Sequence, residues 1–521
     1  MRAQGGMFVA GASRRRSHVV VAVKRLRPLG WRGAEHEPPS TGRESSNATS
    51  GEALLSRATG WAGLALLVAV AVGLFGQGAY YPPVQRPVGV LIAVATVLSL
   101  AVWPPVRAEA RFVPVVPALA LAAWAGLDAA LHGTPAASAG LVLLLLAVVA
   151  VLLVCRRLRP EDREVLFTGV TGIGLVVALA GWLGVAGRID PWAFQAQGLW
   201  RASSTLSYPN ATAAVLVPVA LLVLGRLVGA PRSLPLVAAA TGLLVGLGAT
   251  ASRAGALALV VGLLVLAGLR GPRATARAVA GPSVGAVLAL GWLVPSMPVV
   301  SPPRPLLAAV GLCAGLTVAA LVARPRRRPA VALLVAAALA AALILVAIGG
   351  AGTGQAVRTV AEARVNLVSP DRGGALRAAL RVIAAHPLAG AGPGHADLRW
   401  NQPGGGIQFF AYAHNEYAQV AAELGLSGLV LLAVLLVAIA RALWRARSTT
   451  PSEAAWAGVV AATVAFAVHS GFDFVWHLPA VVVAVTLLVG AVLPAPEDAG
   501  TEARKRAVTP RAREADENQA R

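Results

Sequence analysis

Arginine and imidazole side chains recur at a small set of turns in this chain, and their chemistry is specific. Arg201 opens the run Arg201-Ala202-Ser203-Ser204-Thr205-Leu206-Ser207-Tyr208-Pro209-Asn210. Arg253 sits in the tight stretch Ala251-Ser252-Arg253-Ala254-Gly255. Arg377 and Arg381 lie one helical turn apart, and His414 opens His414-Asn415-Glu416-Tyr417-Ala418-Gln419. A guanidinium holds phosphate oxygens in bidentate fashion and stays charged beside lipid. A diphosphate leaving group gains negative charge as its bond breaks, and arginine can neutralise that charge. A neutral imidazole nearby can take the proton of an attacking hydroxyl. The sequence offers no DxD-like carboxylate pair among the residues read as outside the membrane, nor a His/Cys set there, so a metal-free reaction is the simpler expectation.

Each of these residues also has a plainer reading. An arginine at a helix end commonly reaches to the lipid–water interface and does nothing else. Arg377 and Arg381 fit a place among lipid headgroups equally well. A histidine at a helix start often caps or packs, and His386 beside Pro387 reads as a turn residue. Glu416 and Glu423 read as partners for arginine. At about 100° per residue, Glu416, Gln419 and Glu423 share one helical face, with His414 pointing nearly the opposite way. His469, Asp473 and His477 read as a hydrogen-bonded bracket at a late turn, since Gly471 and Pro479 argue against one continuous helix.

The elements that must position these groups are membrane helices. Hydrophobic residues make up 57% of the 521, charged ones only 13%, and the mean hydropathy is +0.70. A soluble domain of this length needs more charge on its surface. The apolar residues form long runs broken by Arg, Pro and Gly, and about 14 of these runs, from near 59–78 to near 477–494, are long enough to cross a bilayer. The fold class is therefore all-α, a polytopic integral membrane protein of about 12–14 transmembrane helices with one large extracytoplasmic loop. The net charge of +22 does not indicate nucleic-acid binding, because the arginines sit in short clusters between apolar runs. Cys155 and Cys313 both fall in apolar segments and imply neither a disulfide nor a metal site.

Lys and Arg favour the cytoplasmic side of short loops. With the basic N-terminus inside, helix alternation puts about 34 of the 45 Lys and Arg residues on that side. Arg201, Arg253 and the loop carrying Arg377, Arg381 and His414 then fall outside. The expected organisation is a disordered basic cytoplasmic tail at 1–57, helices at 58–351, and a large extracytoplasmic loop at 352–423 with a short amphipathic helix over Ala375–Ala385. Further helices follow at 424–494, and a disordered charged tail at 495–521. One of the expected spans covers 329–350.

Four stretches resemble the O-antigen ligase and polymerase superfamily. Arg201 to Ala213 is similar to its Arg-bearing outer loop. Thr250-Ala251-Ser252-Arg253-Ala254-Gly255 resembles its "[ST]-x-S-R-[GA]" turn, with Ala254 where Gly is usual. The run His386-Pro387-Leu388-Ala389-Gly390-Ala391-Gly392-Pro393-Gly394, followed by His414-Asn415-Glu416-Tyr417-Ala418-Gln419 and Glu423-Leu424-Gly425, is similar to "P-x-x-G-x-G" and "H-N-x-Y-x-Q-x-x-x-E-x-G". His469-Ser470-Gly471-Phe472-Asp473-Phe474 with His477 and Pro479 resembles a late "H-S-x-x-D-[FY]-x-x-H-x-P" stretch.

The resemblance implies an enzyme of the cell membrane whose site faces outward. It would move a polyprenyl-pyrophosphate-linked glycan onto the hydroxyl of a glycan, lipid or protein acceptor. It would act among membrane lipids, without nucleic acid, metal or other cofactor. It implies that Arg201 and Arg253 bind the diphosphate and that His414 acts on the acceptor. Arg377, Arg381, Asn415, Glu416, Tyr417 and Gln419 are expected to contact substrate. Ligase, polymerase and protein O-oligosaccharyltransferase remain open at this point. A secondary transporter for an anionic solute is the alternative of another class, expected to show broken midplane helices and buried acidic residues.

Overall fold

The computed structural model describes residues 42–102, 114–324, 359, 370–401, 405–450 and 452–495. The expected span at 329–350, most of 352–369 and the bulk of both tails lie outside the described residues. The chain divides into Met1–Gly51 and Glu52–Arg521. Of the first unit only the start of one helix is described, and every contact below lies in the second.

Fourteen α-helices are present among the described residues: α1 (Gly42–Phe75), α2 (Pro82–Val102), α3 (Val115–Leu131), α4 (Ala139–Arg157), α5 (Pro160–Gly187), α6 (Pro209–Gly229) and α7 (Leu234–Thr250), then α8 (Arg253–Arg270), α9 (Pro272–Leu293), α10 (Pro305–Val322), α11 (Pro370–Ala385), α12 (Glu416–Ala446), α13 (Glu453–Ser470) and α14 (Pro479–Val492). Ten are long and apolar enough to cross a membrane, and α3, α7 and α14 are shorter apolar helices. The protein is thus an all-α, multi-pass membrane protein. Many of these helices open on proline in the first turn, where its missing N–H costs nothing and its fixed φ suits the helix.

Helix α6 is the centre of the bundle and is almost wholly enclosed by others. It packs closely on α13 because both present glycine: a Cβ on Gly225 would sit 2.5 Å from the Cα of Gly458. In lipid, where apolar surface gains little by leaving the bilayer, such close packing of small residues is what holds helices together. Helices α9 and α10 meet in the same way at Gly285 and Gly315.

The helix ends separate into two chemically different sets. At one end Arg226 pairs with Glu164, Arg270 lies 2.5 Å from Glu453, and Arg156 Nε donates to the carbonyl of Pro494 at 3.1 Å. Arg163 is buried there, donating to the carbonyls of Leu493 (2.6 Å), Arg156 (2.8 Å) and Leu158 (3.0 Å). Its guanidinium thus satisfies carbonyls left open at the ends of α14 and α4. The opposite ends of α5, α6, α7, α8, α12, α13 and α14 carry the candidate residues. Two short hairpins supplement the helices: β1 (Ala193–Ala196) with β2 (Leu199–Ala202), and β3 (Arg399–Asn401) with β4 (Ile407–Phe409). The first turns at Gln197-Gly198, both at positive φ, the conformation that two-residue hairpins require.

Helix α12 is interrupted at Gly425 (φ 68°, ψ −174°). The Pro387–Gly392 turn fits against the break. Ala391 and Gly392 donate to the carbonyls of Ala422 (2.9 Å) and Glu423 (3.0 Å), and Leu426 donates to Pro387 at 2.8 Å. Trp124 Nε1 of α3 takes the carbonyl of Leu424 at 3.0 Å. These bonds engage backbone groups that the break frees. The approach is close enough to demand glycine, since a Cβ on Gly390 would lie 2.4 Å from Glu423 and one on Gly425 2.1 Å from Leu388.

Candidate functional site

Asp473 lies in the turn between α13 and α14 and has no exposed surface. Its carboxylate accepts from His414 Nδ1 at 2.9 Å, from Tyr208 Oη at 2.8 and 3.0 Å, from Arg372 Nη2 at 3.1 Å and from Asn210 Nδ2. Burial alone would push this carboxyl up. The hydrogen bond from His414 and the charge of Arg372 outweigh burial and hold it at about 2. An ionised carboxylate can only accept, so Nδ1 of His414 carries a proton and points away from the acceptor side, where Nε2 lies. The ring is fixed edge-on against Phe410 (5.1 Å) and Phe474 (5.0 Å), and its side chain is 15% exposed. His414 itself stands at φ 52°, a left-handed conformation uncommon for a residue with a side chain.

Asn210 connects this pair to the arginines. While its Nδ2 bonds Asp473, its Oδ1 accepts from Arg201 Nη2 at 3.1 Å. Arg201 Nε donates to the carbonyl of Thr250 at 2.8 Å, the last residue of α7. Only Ala251 and Ser252 separate α7 from α8, and Ala251 takes φ 48° to make the turn. Ser252 caps α8 by accepting from the Gly255 N–H at 3.2 Å, and its own N–H donates to Thr250 Oγ1 at 3.1 Å. This places Arg253 at the first position of α8, where the helix dipole also favours an anion. The Arg253 side chain makes no hydrogen bond or ion pair among the described residues. Arg201 and His414 are therefore joined through one network, and Arg253 follows three residues after Thr250, whose carbonyl holds Arg201, as spacing alone could not reveal.

The other expected residues fall on the same side of the bundle with different attachments. Arg381 on α11 donates to the carbonyl of Arg399 at 2.6 Å, and Arg377 is exposed with its guanidinium beside Gly373. The helix begins at Pro370, earlier than the Ala375 start read from sequence, and that extra turn carries Arg372. Asn415 caps α12 by accepting from Ala418 N–H at 3.0 Å. Gln419 Oε1 accepts from the Ala413 N–H (2.7 Å), one residue before His414, and its Nε2 donates to Glu423 (2.6 Å). Tyr417 donates to the carbonyl of Ala467 at 2.7 Å. Glu416 accepts from the Trp476 N–H and lies 3.4 Å from His477 Nδ1, so its partner is a histidine and not an arginine. Burial would lower His477, but the Glu416 carboxylate raises it above its ordinary value. His469 is buried with both ring nitrogens unbonded among the described residues.

Asn210, Arg372 and Tyr208 are members that sequence reasoning did not single out, and Asp473, read there as bracketed with His469 and His477, bonds His414, Tyr208, Asn210 and Arg372 instead. The first three gave a signal only together, as an amide, a guanidinium and a phenol beside predicted outer turns, none with an obvious local partner.

The described helices thus form a multi-pass bundle with a buried carboxylate, an imidazole and several arginines at one end. Residues 306–433, about a quarter of the chain, match the family model described as O-antigen ligase, a similarity that supports the O-antigen ligase superfamily. The matched segment holds Arg372, Arg377, Arg381 and His414, while Arg201, Arg253 and Asp473 lie outside it. A search of curated proteins finds no match.

Proposed function

We propose that the protein transfers a glycan from a polyprenyl-pyrophosphate carrier to an acceptor hydroxyl on the outer side of the cell membrane. The observation that carries this reading is the His414 Nδ1–Asp473 bond of 2.9 Å, with Arg201 attached to the same carboxylate through Asn210. Nε2 of His414 takes the acceptor proton as the hydroxyl oxygen attacks the anomeric carbon. The bond from that carbon to the phosphate oxygen breaks, and the polyprenyl pyrophosphate leaves. Arg253 and Arg201, with Arg377 adding positive charge, offset the charge that gathers on the leaving group. The hydroxyl attacks from the face opposite the leaving group, so the anomeric configuration inverts. Guanidinium groups supply the compensation, so transfer is expected to persist in excess EDTA.

The outward placement rests on charge. The Arg-rich end, with Arg156, Arg163, Arg226 and Arg270, fits the cytoplasmic face, and the His414 end fits the outside. Membranes supplied with a defined lipid-linked donor test the function. Arg253→Ala and His414→Ala should each lose transfer, and wild-type rates in both would remove these residues from the mechanism. A polymerase or a protein oligosaccharyltransferase would use the same step with a different acceptor, and product analysis after deleting the protein distinguishes them.

Two observations favour the transporter reading: α12 is broken at Gly425, and Asp128 is fully buried, its carboxylate 3.5 Å from His132 Nδ1 and without a hydrogen bond among the described residues. Against it, the break is closed by the Pro387–Gly392 turn and leaves its backbone groups engaged. Uptake of a labelled anion by proteoliposomes, with no glycan transfer, would favour transport.

A further inference from the structure

All five tyrosines of the chain, Tyr80, Tyr81, Tyr208, Tyr412 and Tyr417, lie at the His414 end of the bundle. The opposite end carries exposed tryptophans instead, Trp61 and Trp444. Three of the tyrosines follow a line of ring contacts leading away from His414. Phe474, which packs edge-on against His414, stacks on Tyr412 at 4.9 Å with an interplanar angle of 24°. Tyr412 faces the His477 ring at 4.0 Å, and its hydroxyl lies 3.1 Å from that of Tyr80. Tyr81 extends the line, edge-to-face with Tyr80 at 5.0 Å, and is 53% exposed.

The backbone that presents Tyr80 and Tyr81 is unusual. Gln77, Gly78 and Ala79 are consecutively left-handed, at φ 56°, 72° and 58°. Two of them carry side chains, and each costs of order 1 kcal/mol in that conformation. The turn is held down on the site: a Cβ on Gly78 would meet Leu478 at 2.6 Å, and Thr205 Oγ1 donates to the carbonyl of Leu74 at 2.9 Å. Such strain persists only where surrounding structure enforces it, and its result is the placement of two exposed phenols, Tyr80 beside Tyr412 and Tyr81 against Tyr80.

We infer that Tyr80, Tyr81 and Tyr412 form a shelf on which a pyranose ring of the acceptor stacks, with its hydroxyl directed toward His414. The inference rests on the proposed transfer function. The C–H face of a pyranose carries slight positive charge and meets the negative face of an aromatic ring, while phenolic hydroxyls bond the sugar's edge. Arg201, which the proposed function sets against the diphosphate, attaches to Asp473 through Asn210, and the shelf attaches through His414 and Phe474. Donor diphosphate and acceptor sugar are thereby given different chemistries on the two sides of one carboxylate.

The test uses the detergent-purified full-length chain and a panel of methyl pyranosides of glucose, galactose, mannose, rhamnose and N-acetylglucosamine, read by saturation-transfer NMR. Saturation of ring C–H protons is expected for at least one probe, lost in Tyr81→Ala and Tyr412→Ala, restored in Tyr81→Trp and retained in Arg253→Ala. In transfer assays Tyr81→Ala should raise the acceptor KM roughly 2- to 10-fold with the donor KM unchanged. No saturation of any probe, or saturation indifferent to both tyrosine substitutions, would overturn the shelf. Transfer at the wild-type acceptor KM in Tyr81→Ala would do the same while leaving the proposed function standing. Loss of transfer function as such is read separately, in Arg253→Ala.

Discussion

A carboxylate removed from water normally rises in pKa, because its charged form loses solvation. Asp473 moves the other way, to about 2, because His414 and Arg372 stabilise the anion more than burial penalises it. A folded-state value below the free value of 3.8 contributes stability above that value, about 2 kcal/mol, lost as pH falls from about 4 to about 2. Melting in detergent should therefore show the gap between wild type and Asp473→Asn narrowing over that interval. His477 has the opposite sign. Its raised value means that the Glu416 contact stabilises fully below the ordinary histidine value of 6.5 and fades as pH rises through the folded value. Substituting His477→Gln should thus cost more stability at pH 6 than at pH 9, and an equal cost at both would contradict the pairing. Arg201, Arg253 and His414 stood out in the sequence because charge among apolar runs is conspicuous. Asp473 and Asn210 were harder to read, since their meaning is a set of contacts from Tyr208 to His414 across distant segments.

At the scale of elements, the Pro387–Gly392 turn and the Glu423–Gly425 stretch were legible as motifs but not as partners. Gly390 and Gly425 allow the close approach of the loop to the broken helix, and Gly392 packs against His132. Gly425 lies in a backbone region essentially reserved for glycine, so Gly425→Ala should destabilise by about 1–3 kcal/mol from backbone strain alone. The contact with Leu388 adds to that cost. A melting temperature unchanged from wild type would contradict the packing. The spans were predictable from run length because lipid requires it, while α3, α7 and α14 are apolar but shorter, α14 being almost wholly buried against its neighbours. The β1–β2 hairpin was missed, since its four-residue strands have no pattern distinguishable from loop, yet it carries Arg201.

At the scale of the whole molecule, two ends of different charge make orientation testable. In a Cys313→Ser background, with buried Cys155 retained, Ile407→Cys should react with a membrane-impermeant maleimide on intact cells. Ser448→Cys, beside Arg447 and its Glu453 partner, should react only after lysis. The reverse pattern would turn the site inward and remove it from the reach of an external acceptor.

The most direct measurement is a double-mutant cycle on glycan transfer with His414→Ala, Asp473→Asn and their combination. If Asp473 acts by orienting His414, Asp473→Asn alone should slow transfer by about 10²–10⁴-fold, and the double variant should be no slower than His414→Ala alone. Losses that multiply, or wild-type transfer in either single variant, would contradict a catalytic pair built from these two side chains.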